Sequence, residues 1–339
     1  MIEHLYSAFI NHVLINILEG NLAKPWHFFK ANFKRRFFGY PYVALIEVGN
    51  YCNLRCPTCP TPASKICRKR ELMSFDNFKK VIDNIKDSVQ VVLLYFTNEP
   101  LLNPDIFRMT EYASKNGLYT EISTNAVLLN REKTNALFNS KLDRLILDLD
   151  GTTKESYEQF RVGANFEQVL NNITYLCRQK QDLKLKRPFI ELQFVFNKLN
   201  QNELPALKKI ADDLKVDRLS IRSINLGQYA YSEKEKEELS RKFFPENAEN
   251  NGKVRYQRQD GELKIKNAPA VCPLAKSHLV ILVDGSVAMC CYDLNGQYIY
   301  GNVLSQKLSD IWFSPDIIKK RKLAEKRGYQ LCKTCSIYT

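Results

Sequence analysis

From residue 43 to residue 224 the chain alternates short apolar runs with helical stretches. The runs Val43–Val48, Val89–Phe96, Leu118–Ser123, Leu142–Leu149, Ile190–Phe196 and Val216–Ile221 have the length and composition of strands. Helix signals fill the gaps: Ser74 stands ahead of Phe75–Ile85, Pro104 opens Asp105–Lys115, and Asn200 caps the stretch through Leu207 and Ile210. Six βα units in succession require a parallel sheet. Right-handed crossovers leave a doubly wound sheet or a closed or partial barrel, and each places ligand sites at the carboxyl ends of the strands.

The segment after the first run is Glu47-Val48-Gly49-Asn50-Tyr51-Cys52-Asn53-Leu54-Arg55-Cys56-Pro57-Thr58-Cys59-Pro60. It sets three cysteines at spacings of four and then three in a loop that can wrap one side of a metal cluster. Three thiolates on a 4Fe-4S cubane leave one iron with open coordination, whereas structural zinc or an electron-transfer cluster takes a fourth protein ligand. Cys67 is the residue that could supply a fourth.

This loop, placed after a first strand, resembles that of the radical S-adenosylmethionine (SAM) superfamily, and the resemblance covers roughly residues 43 to 224. It implies an α/β fold, a partial (β/α)6 TIM-like barrel, with Cys52, Cys56 and Cys59 holding a 4Fe-4S cluster whose open iron takes SAM. Further segments look like the family's cofactor contacts. Asn98-Glu99-Pro100 resembles the Gly-Glu-Pro segment whose backbone approaches the methionyl amine. Ser123-Thr124-Asn125 resembles the ribose-binding positions, Arg161 the arginine that pairs with the cofactor carboxylate, and Gln193 is expected to face the site. Two positions depart from the pattern: Asn98 replaces a glycine, and Thr58 stands where an aromatic residue usually packs beside adenine.

A second constellation lies near the end of the chain, with Cys272, Cys290, Cys332 and Cys335 around an Asp284-Gly285 hairpin signal. Four thiolates can close a cluster completely, and a hairpin with a distant C-x2-C can equally make a zinc ribbon. With Gly301-Asn302-Val303 and Ile311-Trp312, the pattern resembles the SPASM domain in its short, single-cluster twitch form. That resemblance implies one auxiliary 4Fe-4S cluster in a small domain built of a β-hairpin plus helices. Cys291, beside Cys290, is open to three readings: cluster ligand, spare thiol, or hydrogen-atom donor to a substrate radical. Cys67 and Cys177 read as ordinary thiols. The expected divisions are 1–42 as an amphipathic helical segment, 43–224 as the core, 225–270 as a polar connection of one helix and irregular chain, and 271–339 as the auxiliary domain.

Composition narrows the setting. With 339 residues, 45% of them hydrophobic, the chain can bury a large core. Its ten cysteines fall in two clusters and a few singles, a pattern of metal binding in a reducing compartment rather than of disulfides. A net charge of +13 suits nucleic acid, an anionic membrane or a phosphorylated substrate, but the cations are scattered and not interleaved with aromatics, so nucleic acid is not expected. Leu5, Phe9, Ile10, Val13, Leu14, Ile17 and Leu18 recur at helical spacing ahead of Lys30, Lys34, Arg35 and Arg36. A cytoplasmic protein is expected, with peripheral membrane contact through residues 1–40 left open.

The resemblance implies reductive cleavage of SAM, with electrons from a donor such as flavodoxin or ferredoxin, and hydrogen abstraction from a small-molecule substrate. A sugar, cyclitol or lipid-linked substrate oxidised with the help of the auxiliary cluster is the leading expectation. Epimerisation with Cys291 as hydrogen donor and peptide maturation are the alternatives within the family. A non-catalytic iron-sulfur or zinc protein is the alternative outside it.

Overall fold

Strands form at all six apolar runs: β1 (Val43–Ile46), β2 (Val91–Leu93), β3 (Tyr119–Thr124), β4 (Arg144–Asp148), β5 (Phe189–Phe196) and β6 (Arg218–Ser223). Each pairs in parallel with the next in chain order, giving the six-unit partial barrel. The structure is a computed structural model that describes residue 17 and residues 23–62, 65–226, 231–246, 254–259, 262–266 and 269–336. Of the N-terminal apolar positions, Leu5, Phe9, Ile10, Val13, Leu14 and Leu18 lie outside the described residues.

The helix from Phe75 to Ile85 occupies the expected span, and the Ser74 hydroxyl accepts from the Asn77 backbone N–H at 3.2 Å. Ile106–Lys115 follows Pro104 as expected. Asn200 does not cap the next helix, which runs from Leu204 to Leu214 with Glu203 at its N-cap and Pro205 in its first turn. Asn200 instead accepts from the Asn197 backbone N–H at 2.8 Å and donates to the Asp150 carbonyl at 2.9 Å, bracing the end of β4.

The tail forms β9 (His278–Ile281), β10 (Ser286–Ala288) and β11 (Ile299–Asn302), followed by helices Leu308–Trp312 and Pro315–Glu325. The expected hairpin is β9 and β10, turned at Gly285, whose φ is +83° and where a Cβ would meet Leu304 Cγ at 2.5 Å. The hairpin does not stand apart. Strand β9 pairs in parallel with the free edge of β1, so one nine-stranded sheet runs in the order β11-β10-β9-β1-β2-β3-β4-β5-β6. Closure of the barrel is thereby replaced by extension through the tail.

The polar connection holds the helix Glu233–Phe243, opened by a Ser232/Glu235 capping box. What reads as irregular chain contains a second hairpin, β7 (Tyr256–Gln259) and β8 (Glu262–Ile265). Its strands carry mostly charged and amide side chains, so the Asp260-Gly261 turn signal is unaccompanied by the apolar alternation that marks a strand. Among the described residues no helix is long and apolar enough to cross a membrane.

Alternation along the barrel strands separates two environments. Outward residues such as Ile46, Val92, Ile122, Leu147 and Phe194 are buried beneath the helices. Inward residues form an apolar wall at Leu45, Leu93, Val280, Leu282 and Ala288 and a charged wall on β3 to β6. There Arg144 bonds Glu121 Oε2 at 2.9 Å and also pairs with Glu191, while Tyr95 donates to Glu121 Oε1 at 2.6 Å.

At the upper end of β1 the fully buried Glu47 joins four segments. Arg68 Nη1 and Nη2 reach its two oxygens at 2.7 and 2.6 Å, Thr97 donates a hydroxyl, and the Val283 backbone N–H donates at 3.0 Å. Arg68 Nε reaches the Leu294 carbonyl at 3.0 Å, and Asn295 bonds both the Cys67 N–H and the Lys65 carbonyl. The tail is therefore clasped to the loop that carries the first cysteines. Glu47→Ala leaves the Arg68 guanidinium without its carboxylate, and denaturant unfolding of the apo protein is expected to show a loss of about 3–5 kcal/mol. A loss below about 1 kcal/mol contradicts the clasp.

Candidate active site

The loops following β1 to β4 enclose a cavity of about 610 Å³. Cys52, Cys56 and Cys59 line one side, and Asn98, Glu99, Ser123, Asn125, Asp148 and Arg161 line the rest together with Tyr95, Phe96 and Thr97. The cysteine loop is held by local bonds: the Cys59 N–H donates to the Cys56 carbonyl at 3.1 Å, and the Arg55 N–H to the Val162 carbonyl at 2.8 Å. Burial raises all three thiol pKa values, to about 12 at Cys52 and about 11 at Cys56, where the Arg161 cation opposes the rise. Such thiols ionise when a metal displaces their protons.

Glu99 is buried, and both its oxygens are engaged. Oε1 accepts from the Leu101 N–H at 3.0 Å and the Thr124 hydroxyl at 2.7 Å, and Oε2 from the Asn125 N–H at 2.9 Å. Its side chain locks the end of β2 to the end of β3. Asn125 Nδ2 turns toward the cysteine loop, 2.9 Å from Asn53 Oδ1 and 3.7 Å from Cys52 Sγ. Asn98 Oδ1 accepts from the Phe96 N–H at 3.0 Å, whereas its Nδ2 is buried with no hydrogen-bond partner among the described residues.

Arg161 lies between the acids and the cysteines, with Nε 2.5 Å from Asp150 Oδ2, Nη2 3.6 Å from Asp148 Oδ2 and Nη1 4.0 Å from Cys56 Sγ. Burial raises the Asp148 pKa and the Asp150 charge adds to that, while Arg161 works in the other direction. Gln193 stands one step behind the wall, donating to Asp148 Oδ1 at 2.8 Å. Asp148, Tyr95, Thr97 and Glu47 were not singled out as site residues from sequence. For Asp148 the available signal was its place at the carboxyl end of a strand.

Three thiols on one wall, an arginine, hydroxyl and amide groups opposite, and an orphaned buried amide make a donor set that fits an open-iron cluster carrying an amino-acid nucleoside ligand. Among the described residues no three Cys, His, Asp or Glu side chains converge on a single ion. Tetrahedral zinc would need its sulfurs roughly 4 Å apart.

A second cavity of about 450 Å³ is lined by Cys272, Cys290, Cys291, Cys332 and Cys335, bringing together all four expected tail ligands plus Cys291. Arg327 Nη2 donates to the carbonyls of Cys332 at 2.7 Å and Cys335 at 3.0 Å, fixing that turn. Cys290 packs into the main core, whereas Cys291 packs on the apolar barrel wall with Leu45 and Leu282. Cys67 is exposed and Cys177 buried, and neither lines a cysteine cavity.

Residues 46–185 match the radical SAM superfamily, and residues 272–336 match SPASM, an iron-sulfur cluster-binding domain. The chain carries a radical SAM domain followed by a SPASM domain. Its cofactors are accordingly SAM and iron-sulfur clusters, one with SAM and one in the SPASM domain.

Similarity to characterised members is partial. A PqqA peptide cyclase of Bradyrhizobium diazoefficiens is 26% identical over 194 residues, covering 57% of this chain and 49% of that protein. An Fe-coproporphyrin III synthase of Methanosarcina barkeri is 30% identical over 169 residues, 50% of this chain and 40% of that one. The chain thus spans about half the length of the curated relatives it matches. A tungsten-containing aldehyde ferredoxin oxidoreductase cofactor-modifying protein of Pyrococcus furiosus is 23% identical with 86% of each chain covered. Among solved structures, SuiB of Streptococcus suis bound to precursor peptide SuiA has a TM-score of 0.62 at 16% identity, covering 90% of this chain and 73% of SuiB. BtrN in complex with AdoMet and 2-DOIA has 0.52 at 19%, covering 88% and 94%. These structural likenesses concern the fold.

Cluster content tests the ligand assignment. Anaerobically reconstituted protein is expected to hold about eight irons, falling to about four in a Cys52/Cys56/Cys59→Ala variant and in Cys290→Ala, but not in Cys291→Ala. Iron lost in Cys291→Ala and kept in Cys290→Ala would exchange the two cysteines' roles.

Proposed function

We propose that this radical SAM protein oxidises a small-molecule substrate, with a sugar, cyclitol or lipid-linked compound as the class. When bound, the cofactors would supply one-electron cleavage of SAM, hydrogen-atom removal by the resulting 5′-deoxyadenosyl radical, and an acceptor for the electron the substrate then gives up. The observation that carries the oxidative reading is the partition between the two cavities. Phe96 lines the first, Cys291 lines the second, and both pack in one apolar cluster with Leu45, Val280, Leu282 and Ala288. The side chains of this one cluster thus border both the first cavity and the second.

The protein's own residues position and exclude. Arg161, steadied by Asp150, is the group to receive the cofactor carboxylate, and Asn98 lines the same cavity. Glu99 holds the β2 and β3 loops together so that Ser123 and Asn125 stay on the wall. Asp148, with its pKa raised by burial, is the acid-base group placed to take the hydroxyl proton of an alcohol oxidation. The apolar wall of Leu45, Phe96 and Leu282 keeps water from a radical.

A peptide substrate is the second reading, favoured by the match to PqqA peptide cyclases. With dithionite and SAM, reconstituted protein is expected to release 5′-deoxyadenosine above the background of the Cys52/Cys56/Cys59→Ala variant; equal release overturns the enzymatic reading. With a substrate in hand, oxidation predicts one deoxyadenosine per product, no deuterium from solvent, and turnover retained in Cys291→Ala. A product carrying one solvent deuterium that disappears with Cys291→Ala would identify epimerisation instead.

A further inference from the structure

The charged wall of the barrel gathers several arginines around one shared carboxylate, Glu191. Register aligns Arg144 of β4, Glu191 and Gln193 of β5 and Arg222 of β6 on the inner face. Glu191 is shared: Arg144 pairs with it closely, and Arg222 Nη2 reaches Oε1 only at 3.7 Å. The Arg222 side chain is 46% exposed, and its Nε lies 3.3 Å from Gln193 Oε1. Because Gln193 also donates to Asp148, a polar row runs from Arg161 in the cofactor cavity to Arg222 outside it.

Arg255 stands beside this row. Its backbone N–H donates to Ser223 Oγ at 3.0 Å, next to Arg222, and its Nη1 reaches the Ser336 carbonyl and hydroxyl at 3.1 and 3.2 Å, next to Cys335. Among the described residues Arg255 has no carboxylate partner, and its Nε is buried without a hydrogen bond. Burial lowers its pKa, and the nearby Arg222 cation acts in the same direction. A guanidinium buried without a carboxylate partner and beside a second cation is unfavourable until an anion arrives.

We propose that Arg222 and Arg255 form an anion subsite for the substrate, a clamp for a carboxylate or phosphate group between the cofactor cavity and the tail cysteines. The subsite rests on the reading of the cavity as the radical active site. Both anions suit a guanidinium fork.

The test is calorimetric titration of full-length reconstituted protein with inorganic phosphate, pyrophosphate and succinate at constant ionic strength. Saturable binding is expected, weakened tenfold or more in both Arg222→Gln and Arg255→Gln and unchanged in the surface variant Lys115→Gln. Preference for the phosphates identifies a phosphorylated substrate, and preference for succinate a carboxylate. Absence of saturable binding, or binding indifferent to both substitutions, overturns the subsite. If a glutamine variant does not fold, Arg222→Lys and Arg255→Lys replace it, and the loss of the fork must still weaken binding. Deoxyadenosine release in the same preparations shows whether the radical reading stands when the subsite fails.

A separate surface points to lipid. The helix Ala23–Phe38 contains no acidic residue and turns Lys24 and Ala31 into the protein. Its opposite face carries Trp26, Phe29, Phe33 and Phe37 at helical spacing, exposed by 68%, 62%, 47% and 65%. Trp26 stacks on Phe29 and Phe33 on Phe37, and Lys30, Lys34 and Arg36 flank the stripe. Aromatics on one face with cations along its borders match the anionic headgroup boundary in both polarity and charge. We infer that this helix seats the protein on an anionic bilayer surface.

Trp26 reports on this directly, because the second tryptophan, Trp312, is 1% exposed. Phosphatidylcholine vesicles containing phosphatidylglycerol are expected to shift Trp26 emission to the blue and sediment the protein. Vesicles of phosphatidylcholine alone are expected to do less, and salt or a Phe29/Phe33/Phe37→Ser variant to abolish the effect. Emission already typical of a buried indole before vesicles are added would mean that residues 1–22 or a second copy cover the stripe, and would overturn the inference. So would unchanged emission on mixing.

Discussion

The fully buried carboxylate of Glu47 is the interaction on which the arrangement of both cysteine sites depends. A buried carboxylate is tolerated only when its lone pairs are taken up, and here they are taken up by Arg68, Thr97 and the Val283 N–H. Those partners come from the cysteine loop, the end of β2 and the tail hairpin. The Val283 N–H reaches that charge only with the tail seated as it is, so docking is specified electrostatically as well as by the β1–β9 pairing. The pairing sets the height of the hairpin on the barrel, and the charge sets its contact with the loop that follows Cys59.

From that seating the partition between the two cavities follows. Once β9 lies along β1, its inward residues Val280 and Leu282 extend the apolar wall begun by Leu45, and Cys291 comes against it. The opposite wall has no helix to supply carboxylates and must balance its charges internally, which Arg144 does by joining Glu121 to Glu191. An apolar wall facing a charged one gives the chamber a direction. A substrate with a polar or anionic end would lie with that end toward β6 and its reacting carbon toward Phe96.

Much of this architecture was legible from sequence, for reasons that differ among elements. The six strands were legible because buried parallel strands read as continuous apolar runs, and the Phe75 helix because Ser74 caps it locally. The cysteine positions were legible because ligand spacing is itself local. The β1–β9 pairing joins residues more than two hundred positions apart, and neither strand carries a mark of its partner. The hairpin of β7 and β8 was hidden by polar strands, and the misplacement of the Asn200 cap came from Pro205, which starts the helix later. Glu47 and Glu191 stand in sequence as single charges at strand positions, and only the register of neighbouring strands turns them into partners of Arg68 and Arg144.

The electrostatics of the cysteine loop add a last constraint. Burial raises the Cys52, Cys56 and Cys59 pKa values, and the cation beside Cys56, Arg161, is already committed to Asp150. The site is therefore built as a neutral pocket: three thiols, and a guanidinium offset by buried acids. Cluster insertion must release protons and introduce charge at the point where Arg161 Nη1 approaches Cys56 Sγ. Of the two acid contacts of Arg161 the 3.6 Å one to Asp148 is the longer, and Asp148 lines the same cavity as the cysteines. The same guanidinium thus stands between the cysteine loop and the Asp148 carboxylate.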